Sequence, residues 1–206
     1  IHRLVSDVLD DLRVSLRVPA SFGRDYIYAI DRERVDAELW RTAASSPNVD
    51  ARDGLSVSDL LRDGERVMGV LARAPGGPEL RFSADWVVGA DGRFSIVARK
   101  AGARTLDEHT DLPTTIYYAY WQGVEPHDEG GPTIVSYGTG RGFGYGLMDS
   151  ADGRTCVVIE GRASALELGD AKPAELMQTL LRSHPRIWRR LAHAQPATEV
   201  RGMRNI

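Results

Sequence analysis

The sequence is poorest in cysteine: Cys156 stands alone among 206 residues, so no intrachain disulfide can form. It lies in the apolar run Cys156-Val157-Val158-Ile159, where a small buried core residue is expected rather than a nucleophile. Such cysteine usage suits a reducing cytoplasm. Charge of one sign is also lacking. Lysine and arginine number 26 against 29 aspartates and glutamates, a formal net charge of −3, which gives nucleic acid or an anionic membrane little to recognise. The cluster Arg186-Ile187-Trp188-Arg189-Arg190 reads as a solvated helix face. No apolar stretch approaches the roughly 18 residues of a membrane span, and the first residues mix charge with aliphatics, unlike a signal peptide. The five histidines (His2, His109, His127, His184 and His193) fall at no metal-ligand spacing, so no metal site is expected.

What is present is the patterning of a globular α+β chain. Leu4, Val5, Val8, Leu9 and Leu12 recur at helical spacing up to Pro19. Tyr26 to Ile30 reads as a strand or extended arm, and a helix follows from the N-cap Asp31, with Val35, Leu39 and Ala43 on one face. Three β-type runs come next, separated by Asp63-Gly64 and by Pro75-Gly76-Gly77-Pro78, and predict an antiparallel meander. Trp86-Val87-Val88-Gly89-Ala90 is apolar throughout, as expected of a strand buried on both faces. Beyond about residue 112, β-prone runs at 114–122, 133–137, 143–148 and 155–160 precede helices after Pro173 and Pro185. Two parts are expected, 1–108 and 109–206.

The unit at residues 86–100 carries the most chemical information. A strand delivers Asp91 to its carboxyl end, a glycine lets a ligand approach the backbone, and the helix start offers free N–H groups to an anion. An Asp-Gly turn that merely caps the helix at Ser95 is the other reading of these residues. The string Trp86-Val87-Val88-Gly89-Ala90-Asp91-Gly92-Arg93-Phe94-Ser95-Ile96-Val97-Ala98-Arg99 resembles the Asp-Gly motif of FAD-dependent aromatic-hydroxylase-type flavin monooxygenases, with Ala98 as one extra residue. Ile30 to Leu39 is similar to that family's helix entry, Gly64 to Val70 to its hairpin, and Thr115 to Val124 to the strand opening its substrate-side sheet.

The resemblance implies an internal piece of such an enzyme, inactive by itself, with residues 1–108 supplying the middle of an FAD-binding domain and 109–206 most of a substrate domain. It implies FAD in the full-length protein and NADH or NADPH as electron donor, with hydroxylation of an apolar or aromatic small molecule. It places Arg32 near the FAD pyrophosphate, the backbone of Val57 at the adenine edge, and Asp91 and Gly92 at the pyrophosphate and ribose side. Strand alternation puts Tyr118 and Tyr120 on one face and Tyr117 and Trp121 on the other, so one face would wall the substrate; Tyr145 joins Tyr118 and Tyr120 as candidates, with plain core packing as the alternative. Between Gly138 and Gly146 glycine occupies every second position, which leaves one strand face bare or forms a hairpin tip.

The family's Gly-x-Gly-x-x-Gly and its later Gly-Asp turn are both missing; Gly138-Thr139-Gly140 and Gly169-Asp170 have the letters without the strand–helix context. The Trp-x-Trp-x-Ile-Pro signature of halogenases is absent from the strand Gly144-Tyr145-Gly146-Leu147-Met148. Two other functions remain open at this point: a flavin-dependent reductase of isoprenoid-type double bonds, and a non-catalytic module that binds an apolar ligand.

Overall fold

The structure, a computed structural model, describes residues 1–9, 12–107, 111–128, 130–204 and 206. In chain order its elements are β1 (Arg3–Val8), β2 (Leu12–Arg17), α1 (Arg32–Ala44), β3 (Ser56–Asp63), β4 (Arg66–Arg73), β5 (Glu79–Ser83) and α2 (Ile96–Ala101). They continue with β6 (Thr114–Gln122), β7 (Thr133–Gly138), β8 (Phe143–Asp149), β9 (Arg154–Arg162), α3 (Pro173–Arg182), α4 (Pro185–Leu191), β10 (Gln195–Pro196) and β11 (Arg201–Met203). The fold is α+β. Two compact units form, Ile1–Ala37 with Thr110–Ile206, and Glu38–His109. The boundary expected at 108/109, and His109 itself, lie outside the described residues; the segment 1–37, expected with the first part, packs with the second.

The first unit is a mixed eight-stranded sheet in the order β10-β6-β9-β8-β7-β1-β2, with β11 also on β6; β1 and β7 are parallel and the other pairs antiparallel. Period-two alternation sets which face each residue takes. Val135, Leu147, Val157, Ile159 and Tyr117 turn toward the helices, where they meet Met177 and Leu181 of α3 and Ile187 and Leu191 of α4 in one core. Each such aliphatic side chain contributes about 1.5–3 kcal/mol on burial. The opposite face is largely open: Leu12, Val14 and Leu16 on β2 and Val8 on β1 are exposed.

Residues 1–18 depart from the helix that their apolar spacing predicts. They form the β1–β2 hairpin because Leu12, Val14 and Leu16 alternate strictly with Arg13, Ser15 and Arg17, and β1 finds a partner in β7 from far along the chain. Tertiary pairing outweighs a five-residue helical pattern.

The second unit is the expected meander, β3-β4-β5, with α2 beside β3. Lys100 of α2 reaches Asp59 at 3.0 Å, and Arg62 donates to the Lys100 carbonyl. Gly102 ends α2 in the left-handed conformation, φ 68°. Residues 86–90, expected as a buried strand, pair with no strand here, and Trp86 and Val88 are 87% and 86% exposed. A strand apolar on both faces needs neighbours on both sides, and the described residues of this unit supply none. No helix among the described residues is long and apolar enough to cross a membrane, and no three metal-ligand side chains gather among them.

Candidate functional site

Where α1 starts against the β8–β9 turn, a buried carboxylate organises the first unit. Asp31 immediately precedes α1, as an N-cap should, but its side chain turns inward. It is 3% exposed, accepts from Ser150 Oγ at 2.8 Å and receives the Arg154 guanidinium at 2.7 Å. That anchor fixes the helix start beside β6, so the Arg32 N–H faces the Tyr120 hydroxyl at 3.4 Å. The Arg32 guanidinium is 78% exposed and steered by Asp36 one turn on, at 2.6 Å. Arg34 pairs with Asp152 and ties the same turn to the loop before β9.

The result is an open cavity of about 730 Å³ whose lining includes Arg32, Asp36, Tyr118, Tyr120, Arg154 and Arg201. Burial raises the Tyr120 hydroxyl above its ordinary pKa. Beneath it Cys156 is 7% exposed, and burial pushes its thiol up to about 11, which makes it core and no nucleophile. The sequence picked out Arg32, Tyr118 and Tyr120, and the fold brings these three together. It missed Asp31 as an anchor, and Arg154 and Arg201 altogether, since isolated arginines at strand ends carry no local signal.

Tyr145 is elsewhere. Register pairs it with Ile159, and Ile159 with Tyr117, on the helix-covered face. It is 3% exposed and donates its hydroxyl to the Leu180 carbonyl at 2.8 Å, so it is core and does not share a face with Tyr118 and Tyr120.

In the second unit Asp91 accepts from the Ile96 and Val97 N–H groups at 2.6 and 3.2 Å and from the Ser95 hydroxyl, while Ser95 Oγ accepts from the Ala98 N–H at 2.9 Å. Both carboxyl oxygens are thus spent on the first turn of α2. These bonds, the Ser95 hydroxyl foremost, hold the carboxyl below its usual range. Gly92 beside it takes φ 77° and lies exposed. Val57 lies on β3, an outer strand of the meander, with one backbone edge free of any strand partner among the described residues.

On the open sheet face, register aligns three rows. One runs Leu4, Ile134, Met148, Cys156, Tyr120; the next Ser6, Ser136, Gly146, Val158, Tyr118; the third Val8, Gly138, Gly144, Glu160, Ile116. The centre of this face is therefore backbone and small side chains, framed by apolar ones.

A family model described as an FAD binding domain matches residues 2–164. The chain belongs to the FAD-binding-domain family. No curated protein matches it by sequence. Among solved structures, a myxobacterial chondrochloren halogenase described as an FAD-dependent halogenase is similar at 20% identity with a TM-score of 0.80, over 99% of this chain and 48% of that one. A geranylgeranyl bacteriochlorophyll reductase-like protein from Thermoplasma acidophilum follows at 15% and 0.77, over 99% and 50%. A probable FAD-dependent monooxygenase from Pseudomonas aeruginosa matches at 17% and 0.65, over 98% and 55%. At these identities the likeness is one of fold, and this FAD-binding-domain chain spans about half the length of each.

Proposed function

We propose that this chain is the central portion of an FAD-dependent oxidoreductase, a monooxygenase that draws electrons from NADH or NADPH and hydroxylates an apolar small molecule. The observation that carries the reading is the cavity at the start of α1, within a chain whose residues 2–164 match the FAD-binding family. Its donor set suits a flavin dinucleotide. The exposed Arg32 guanidinium and the positive end of a 13-residue helix suit a pyrophosphate, and the rings of Tyr118 and Tyr120 suit a flat heterocycle. When bound, FAD supplies the redox chemistry.

In this reading Arg32 neutralises phosphate charge, and the Asp31–Arg154 pair holds the helix start in position. Tyr118 and Tyr120 orient the ring and exclude water from it. The free backbone edge at Val57 accepts an adenine edge. Gly92, held by the Asp91 cap, offers backbone at the ribose side; the Asp91 carboxylate acts through the turn it fixes. The open sheet face walls the substrate. Exposed backbone and apolar side chains on that face favour this over a function confined to the helix-covered side.

Flavin fluorescence quenching during titration of FAD into the protein expressed from its complete reading frame and stripped of cofactor tests the reading. Quenching that saturates, and that Arg32→Glu weakens at least about tenfold through one reversed charge, is the expected result. Saturating quenching that is indifferent to Arg32→Glu removes the cavity from the reading, and no quenching by that protein, shown to be folded, removes the flavin.

A further inference from the structure

We propose that the outer edge of β2 is an interaction surface for a second copy of this chain, whose own β2 adds to it antiparallel about a twofold axis at Val14. The inference is independent of the flavin reading.

The two ends of the sheet are finished differently. At one end β6 is flanked by two fragments, β10 of 2 residues ending in Pro196 and β11 of 3 residues. Very short edge strands, and proline with no N–H to offer, are devices by which sheets avoid pairing with other chains. At the other end stands β2, 6 residues long, with β1 on one side and no strand on the other among the described residues. It contains neither proline nor glycine, and its register with β1 is unbroken by any bulge. Every second residue of β2 therefore presents its backbone N–H and C=O outward. One edge is blunted and the other is left ready to pair.

The side chains of β2 select its partner. Leu12, Val14 and Leu16 stand 59%, 42% and 58% exposed on the open face. On the other face the Arg13 guanidinium is held by Asp7 and Asp128, and the Ser15 hydroxyl accepts from Arg3. The charge in the middle of this edge is thus already paired within its own chain. A twofold axis normal to the sheet makes the contact isologous and keeps both open faces on one side. Centred on Val14, the register sets Val14 against Val14 of the second copy, Leu12 against its Leu16, and Arg13 against its Ser15. Centring on Arg13 sets Arg13 against Arg13, and centring on Ser15 sets Arg13 against Arg17. Like charges directly opposite are destabilising, whereas apolar pairs stabilise. The strand is therefore complementary to itself in one register and repelled in those on either side.

The test is sedimentation velocity of the protein expressed from its complete reading frame, from low to high micromolar concentration. A reversible monomer–dimer equilibrium that stops at the dimer is expected. Val14→Lys, which meets its own copy at the axis, should raise the dissociation constant at least about tenfold. Because Val14 is exposed, the circular dichroism spectrum should not change. Leu12→Lys with Leu16→Glu sets opposite charges across the Val14-centred register and should keep the dimer; Leu12→Lys with Leu16→Lys should abolish it. Were Val14→Lys to unfold the protein, these two double variants decide by themselves. A monomer at every concentration overturns the proposal, because another part of the protein then covers the edge or nothing pairs with it. A dimer indifferent to Val14→Lys does so too, since it joins through another surface. Loss in both double variants would mean apolar adhesion without this register, and growth beyond the dimer would contradict a closed twofold; either result also overturns it.

Discussion

At the scale of single residues, the helix-covered side of the sheet is held by an ionic cluster whose members lie too far apart along the chain to leave a local signature. Asp7, 2% exposed, receives the Arg13 fork at 2.7 and 2.9 Å and has Arg186 at 3.6 Å; Arg13 also bonds Asp128, which lies 3.0 Å from His127 Nδ1. Arg190, read as part of a solvated cluster, is instead 5% exposed and donates to the Glu125 carbonyl at 2.8 Å. The Arg13 hydrogen bonds hold Asp7 and Asp128 below the usual carboxylate range, and burial holds His127 below the usual imidazole value. All three are depressed in the folded state, so their stabilisation is complete above the unfolded values. It is lost as pH falls, first below about 6.5 for His127 and then below about 4 for the carboxylates. The urea midpoint should therefore drop from pH 7 to pH 5, and His127→Gln should flatten that segment; an unchanged slope would remove His127 from the account. Asp7→Asn should cost about 1–3 kcal/mol in urea titration, reduced from a fully buried pair because Arg13 is 35% exposed. Cys156, with its thiol near 11, should resist iodoacetamide at neutral pH until the chain is unfolded.

At the scale of elements, legibility followed how local the decisive interaction was. The meander, β6 to β9 and both Pro-led helices were readable because alternation and turn residues act within a few positions. The β1–β2 hairpin was not, because its pairing with β7 joins residues about 130 apart in sequence. Residues 86–90 were read from composition as a strand, but a strand exists only with a neighbour. The capping reading of the Asp-Gly turn was also in the sequence, and the geometry gives Asp91 and Ser95 to α2. Ser95→Ala should cost about 1 kcal/mol by urea titration followed by helix circular dichroism; no change would mean Asp91 alone suffices as cap. On β9, an alanine at Gly161 would drive its Cβ into the Gly142 carbonyl and Phe143 backbone. Gly161→Ala should therefore cost about 1–3 kcal/mol, whereas Gly146→Ala, whose Cβ would meet only Val158 at 3.7 Å, should be neutral or stabilising. Similar costs at both positions would undo the distinction between glycines the fold needs and those it does not.

At the scale of the whole molecule, the α+β class and the flavin family were legible from ordered short motifs, each loose by itself, and the family match over residues 2–164 agrees with them. The candidate site was half legible. Arg32, Tyr118 and Tyr120 converge on one cavity, while Tyr145 falls on the covered face because its register partner Ile159 pairs in turn with Tyr117. Face assignment depends on cross-strand register, which no single strand's sequence contains. The central claim, a flavin oxidoreductase fed by a nicotinamide, is tested most directly by the visible spectrum of the protein expressed from its complete reading frame and purified without added cofactor. The account predicts a flavin band that survives gel filtration and bleaches when NADH or NADPH is added without oxygen. A folded, colourless protein that stays colourless with FAD would contradict it.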